Sequence, residues 1–228
     1  MKKKIQIISD TPLFKGLAEE HLQKLGQIAR DYFYDKGELI FSEGDDGNGF
    51  YVVAEGQVKI YKVSLEGKEQ ILHIYGPGKP FGEVPVFSGQ QFPANAQTLI
   101  KSHLFFFPRV KFLDLISLNP SLSLNMLAIL SVRLRRFTIQ VENLSLKEVP
   151  GRLAAYLIYL AAEQKTENTV SLTISKGHLA SLLGTIPETL SRILARMAGL
   201  DLIKVDGKNI RLLDLDGLES LAENGKLP

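Results

Sequence analysis

The chain has 228 residues, 45% of them hydrophobic and 23% charged, with a formal net charge of +2 and no cysteine. That balance is ordinary for a globular protein and leaves room for two modest domains. The lack of thiols excludes disulfides, cysteine-ligated zinc and iron–sulfur clusters held by cysteine.

The N-terminus opens with Lys2, Lys3 and Lys4 and a short apolar patch before Asp10, without the apolar core of a secretory signal. The longest uncharged apolar run of note, Leu153 to Ala162, falls well short of the ~20 residues that cross a bilayer. A cytoplasmic protein with no membrane partner is expected. Residues Leu13 to Phe33 read as short helices, with Leu17, Leu22, Leu25 and Ile28 at helical spacing. From Gly37 to about Phe107 the texture changes to short runs of Val, Ile, Tyr and Phe separated by glycines. Phe50–Val53, Val58–Val63, Gln70–Tyr75 and His103–Phe107 read as strands of a β-sandwich or barrel.

After Pro108 the period becomes helical, and Asn119-Pro120 is a helix start. Leu127, Leu130, Leu134, Phe137, Val141 and Leu144 then follow at alternating spacings of three and four. This narrow a/d stripe continues through Arg133, Arg135 and Arg136, where a core helix would be awkward, and it predicts a dimer helix. Val149-Pro150-Gly151 is expected to break it, after which Arg152 to Gln164 opens a further helix. The chain thus divides into residues 1–110, 111–146 and 147–228.

The densest constellation lies in the third segment. Ser175 is placed to cap a helix through Leu179, Ala180, Leu182 and Leu183, which Gly184 ends. Thr185-Ile186-Pro187-Glu188 has the spacing of a capping box and leads a second helix that buries Leu190, Ile193, Leu194 and Met197. Two short helices about a glycine turn, with small Ala180 at the crossing, match a helix-turn-helix. Leu202–Val205, a turn at Asp206-Gly207-Lys208-Asn209, and Ile210–Leu213 form a hairpin wing. From Pro150 to Leu213 eight basic side chains stand against five acidic ones, a locally basic segment suited to phosphate. Glu188, Thr189, Ser191, Arg192 and Arg196 fall on the outer face of the second helix. On an isolated helix Glu188 and Arg192 would read as a surface ion pair. At the head of a recognition helix, arginine pairs with guanine and a carboxylate with cytosine N4. Lys176, His178, Lys204, Lys208 and Arg211 are then candidates for phosphate contacts.

In this arrangement the chain resembles the CRP/FNR family of bacterial regulators over nearly its whole length. Phe81-Gly82-Glu83 after a glycine-punctuated β-roll, Asn119-Pro120 before the long helix, and Glu188-Thr189-Leu190-Ser191-Arg192 carry the match. The resemblance implies an α+β chain: a jelly roll like the cyclic-nucleotide-binding domain, a dimerisation helix and a winged helix-turn-helix. It also implies RNA polymerase as a partner, and a homodimer on double-stranded DNA reading a palindrome with TTG-containing half-sites through Glu188, Ser191 and Arg192.

Departures from the family pattern narrow the effector. Members that bind cyclic AMP carry an Arg-Ser pair ten residues after Gly-Glu, and here those positions are Pro93 and Ala94. Without that arginine a cyclic phosphate loses its charge-assisted partner, and Phe137 stands where an adenine-contacting threonine belongs, so cyclic AMP is not expected. What remains is an apolar pocket lined by Tyr51, His73, Tyr75, Phe81, Gly82, Glu83, Val84, Val86, Phe92, Pro93, Leu130, Leu134 and Phe137. Its texture is similar to the haem-dependent nitric-oxide responders of the family, the DNR and HcpR groups. Of the histidines at 21, 73, 103 and 178, His73 is the candidate axial ligand to haem iron, and an ordinary polar strand residue otherwise. A small organic effector, an empty pocket, and a sensor acting through protein contacts without DNA stay open. No nucleophile elbow, phosphate-binding P-loop or H-E-x-x-H motif supports an enzyme.

Overall fold

The computed structural model describes residues 2–225. Met1 and residues 226–228, at the outer limits of the first and third expected segments, lie outside the described residues. The chain forms two compact units that divide between Leu134 and Arg135.

In the first unit α1 (Lys2–Asp10), a tight turn at Pro12–Phe14 and α2 (Glu19–Ile28) precede the β-roll. Its strands are β1 (Arg30–Tyr34), β2 (Leu39–Phe41), β3 (Gly49–Glu55), β4 (Val58–Val63), β5 (Glu69–Tyr75), β6 (Pro80–Phe81), β7 (Asn95–Thr98) and β8 (Ser102–Pro108), with α3 (Val84–Ser88) after β6. They pair antiparallel in two sheets, ordered β1-β8-β3-β6 and β2-β7-β4-β5. The four predicted strand runs fall within β3, β4, β5 and β8. Phe33, expected on a helix, lies instead on β1, an edge strand whose residues are nearly all exposed. Helix α1 was not anticipated. Lys3 meets Glu55 at 2.9 Å, while Lys4 reaches the Ala29 carbonyl at 2.6 Å and Asp31 at 2.7 Å, which fastens α1 to the roll.

Two groups of buried rings fill this unit. Phe14, Phe50, Phe107 and Phe112 pack under α1, α2 and α4 (Arg109–Leu118). Phe41, Tyr75, Phe81 and Phe92 pack at the other group, with Tyr51 against them. From buried Asn119, whose side-chain amide donates to the Leu115 carbonyl at 2.9 Å, the chain enters α5 (Pro120–Leu146). In a single copy the stripe on α5 lies open: Leu127 is 59%, Leu134 69% and Val141 63% exposed. No single helix among the described residues is long and apolar enough to cross a membrane.

The second unit contains α6 (Val149–Gln164), β9 (Thr169–Ser171), α7 (Lys176–Leu182), α8 (Pro187–Gly199), β10 (Ile203–Asp206), β11 (Asn209–Leu212) and α9 (Leu215–Asn224). Its sheet runs β10-β11-β9. Val149-Pro150-Gly151 does not break a helix as expected. It forms the first turn of α6, where proline needs no N–H partner, and the interruption falls at Lys147 and Glu148. Gly151 is needed for closeness, since a Cβ there would stand 2.6 Å from the Gly225 Cα and 2.9 Å from the Leu221 carbonyl. Helix α9, which no sequence signal announced, is capped by Asp214 accepting from the Gly217 N–H.

Candidate nucleic-acid interface and effector site

The helix-turn-helix is built from α7 and α8. Ser175 Oγ accepts from the His178 N–H at 3.1 Å, satisfying an orphan donor at the start of α7. A Ser175→Ala chain should lose about 1 kcal/mol of stability in the second unit, read by thermal melting. No loss would mean that another group takes over the cap. The expected capping box at Thr185 does not form. Ile186 occupies the cap position of α8 without a side-chain bond, because Pro187 is the first helical residue and supplies the needed backbone angle. Ala180, Leu190, Leu194 and Met197 are buried between the helices and the sheet.

Glu188, Ser191, Arg192 and Arg196 are exposed on the opposite face of α8, with Thr189 half-buried beside them. Glu188 and Arg192 form no salt bridge with one another among the described residues, so both groups are available to a ligand. The Ser191 hydroxyl donates back to the Pro187 carbonyl at 2.8 Å and keeps its acceptor lone pairs outward. Lys176, Ser191 and Lys204 share an open groove of about 410 Å³ between α8 and the wing. On the wing Lys204 lies directly opposite Arg211, and both are exposed. Like charges facing across a strand pair are unfavourable by themselves, and an anion between or above them removes that cost. Lys208 lies exposed at the wing tip and His178 half-buried on α7.

The second candidate site is the ring group of the β-roll. Phe41 stacks on Phe92 with centroids 3.7 Å apart, and Phe81 lies 5.3 Å from Tyr51 and 5.8 Å from Tyr75. Gly82 takes φ +72, and a Cβ there would press on Phe41 and Phe92 at 3.2 Å, so the turn before Glu83 needs glycine twice over. His73 is half-buried beside this group, its ring centroid 4.5 Å from that of Tyr75. Burial pushes the Tyr51 phenol up, so it stays neutral. Several expected lining residues are not brought together here. Val84 is 43% exposed on α3, and Pro93 is exposed with its carbonyl accepting from Lys62. Val86 packs instead with the Phe50 and Phe107 group. Leu130 is half-buried and Leu134 exposed on α5.

Glu83 is buried, and its partner is Arg133, in the sequence only one of three arginines against which a core helix would be awkward. The Arg133 guanidinium bonds Glu83 Oε1 and the Pro80 carbonyl and lies 5.1 Å from the Tyr75 ring centroid. A charged side chain set one helical turn from an apolar stripe was the available signal. Its partner, fifty positions away in sequence, was not.

Two family models match: a cyclic nucleotide-binding domain over residues 32–119 and a Crp-like helix-turn-helix domain over residues 151–221. The cyclic AMP receptor protein of Thermus thermophilus is 32% identical over 216 residues, covering 93% of this chain and 97% of that protein. The chain belongs to the CRP/FNR family. Among solved structures, FixK2 from Bradyrhizobium japonicum shares the fold at a TM-score of 0.76 and 24% identity, covering 85% of this chain and 97% of that one. DNR from Pseudomonas aeruginosa is 34% identical at a TM-score of 0.50, covering 94% and 96%. A CRP/FNR chain with both domains in family order is a DNA-binding, dimeric transcription regulator. The curated relatives it matches are regulators rather than enzymes.

Proposed function

We propose that this regulator reads a palindrome with TTG-containing half-sites as a homodimer and that occupancy of the Glu83 site governs how well it does so. The carrying observation is the exposed Glu188, Ser191 and Arg192 at the head of α8, flanked by the facing pair Lys204 and Arg211. Two such helices in successive major grooves fix the half-site spacing at about one helical turn. The cationic groups on the wing and α7 position the protein through phosphate, and RNA polymerase is the partner that a CRP/FNR activator would recruit.

Fluorescence anisotropy with a TTG palindrome and a scrambled duplex, over a salt series, tests the reading. Specific affinity should fall steeply with salt. Arg192→Ala should cost about 1–3 kcal/mol and relax preference at one guanine. Equal binding to both duplexes, or an unaltered preference in Arg192→Ala, would place the reading face elsewhere.

Haem as the sensing group is a second reading, favoured by the place of His73 beside Tyr75 in the ring group. The donor set fits a single axial bond: one imidazole beside the Tyr75 ring. Bound haem would supply an iron able to take nitric oxide or another gas. His73 would hold it. A hemin titration followed by reduced-state spectra with and without nitric oxide tests this. A saturable Soret band at one per chain, lost in His73→Ala, supports haem. Its absence removes the haem reading and makes a small organic effector, other than cyclic AMP, the leading one.

A further inference from the structure

Strand β1 is the outermost strand of its sheet. Its five residues pair with β8 on one side, and among the described residues no strand lies along the other. Alternate backbone N–H and C=O groups therefore face outward along a free edge. The other outer strands of the roll are protected. β6 is two residues long and begins with Pro80, β2 is three residues long with a shifted register, and no residue of β5 is exposed. β1 has none of these guards. Arg30, Asp31, Tyr32 and Phe33 are all exposed, Phe33 at 70% and Tyr32 at 39%. Contacts within the chain hold these side chains in place. On one face the Tyr32 ring lies 6.4 Å from Tyr34 and 5.9 Å from Phe106. On the other, Phe33 stacks on His103 at 4.4 Å, and Asp31 is held by Lys4 at 2.7 Å and by His103 at 2.9 Å.

We propose that β1 pairs antiparallel with β1 of a second copy, joining one dimer of this regulator to the next through a continuous sheet. The strand's own sequence selects this occupant. A two-fold axis normal to the sheet sets residues of the same face opposite one another, so each register is centred on a residue. Centred on Tyr32, the pair places Asp31 opposite Phe33 and Arg30 opposite Tyr34. Arginine against tyrosine is a cation–π contact, and symmetry makes it twice. Asp31, already held by Lys4 and His103, brings no unpaired charge against Phe33. Centring on Asp31 instead sets two carboxylates face to face. Centring on Phe33 sets Asp31 against Asp35 and Arg30 against Lys36, like charges in both cases. Among the three middle positions, only Tyr32 gives a self-complementary edge. Five residues a side bury less than a stable dimer needs, so the contact is weak in free solution and forms at high protein concentration. Two dimers side by side on DNA hold their edges close, which strengthens the contact there and makes their binding cooperative.

The chain has no cysteine, so a single introduced thiol reports the pairing in the full-length protein. Cα atoms directly opposite in an antiparallel pair are about 4.5–5.5 Å apart, within disulfide reach. Tyr32→Cys, opposite itself, should link covalently under mild oxidation at high protein concentration. Phe33→Cys lies two positions from its own counterpart, beyond the ~7 Å limit, and should link about tenfold more slowly. Random collision would give the reverse order, because Phe33 is the more exposed. Sedimentation velocity of the unaltered protein should show a four-chain species that grows with concentration. Tyr32→Lys, which sets two ammonium groups face to face, should remove that species and leave the dimer. If Tyr32→Lys does not fold, the two cysteine variants still decide. Equal linking at the two positions, or faster linking at Phe33→Cys, overturns the proposal. So does a dimer that gains no mass at any concentration, which would give the edge to an extended segment of a different protein.

Discussion

A chain carrying Leu134→Glu and Val141→Glu should sediment as a monomer and lose operator affinity by about 10²–10⁴-fold. The two positions are seven apart on one face of α5 and are 69% and 63% exposed in the single copy. Seven residues is the repeat of a helix pair, so both side chains meet their counterparts in the dimer. Substituting both places four carboxylates in a contact built for leucine and valine, where burying a charge without a partner is costly. The fold of the chain itself should be unharmed, since neither side chain packs in a core. Without the dimer, the second recognition helix no longer binds as an intramolecular event, and the gain from two joined half-sites disappears. Sedimentation velocity and anisotropy on the same samples check both halves. A dimer that persists would move the interface away from this stripe.

Phe107→Ala should destabilise the first unit by about 3–5 kcal/mol. Phe107 is fully buried on β8, with ring centroids 5.3 Å from Phe14, 5.0 Å from Phe50 and 6.3 Å from Phe112. These neighbours come from the N-terminal turn, β3 and α4, so the ring is the meeting point of helices and sheet. They cannot all close on the vacated space, and the cavity term adds to the lost transfer energy. Total stability of such a domain is only about 5–15 kcal/mol, so the β-roll should unfold at markedly lower denaturant. The transition of the second unit should stay where it was. A single unshifted transition would show that the ring is not central to the core.

What could be read in the sequence depended on how local the determining interaction is. The helix-turn-helix was legible because Ser175, Gly184 and Pro187 act within a turn of their own positions. The central strands β3, β4, β5 and β8 were legible because apolar side chains crowd them. Strand β1 was not, because an edge strand with exposed aromatics such as Phe33 shows no alternation. Helix α1 hid behind a lysine run whose purpose is set by Glu55 and Asp31, far along the chain. Gly-Glu was recognised as a site, but its partner was not, because only the folded helix brings Arg133 to Glu83. Some residues expected to line the pocket are not gathered with the rings in the single chain. Pro93 sits outside, and the Phe41 ring, unmarked in the sequence, stacks within.

The meeting of Gly151 with Gly225 has a topological consequence. A Cβ at Gly225 would lie 3.5 Å from the Glu148 N and the Lys147 Cα, so the segment entering α6 and the residue leaving α9 are neighbours. The reading head therefore leaves the chain where it enters, as a nearly closed loop. Domains with adjacent ends tolerate excision, insertion and circular permutation. Residues 147–225 thus form a portable cassette: grafted after a different pairing helix, they should carry their DNA preference with them, while the sensor is exchanged freely.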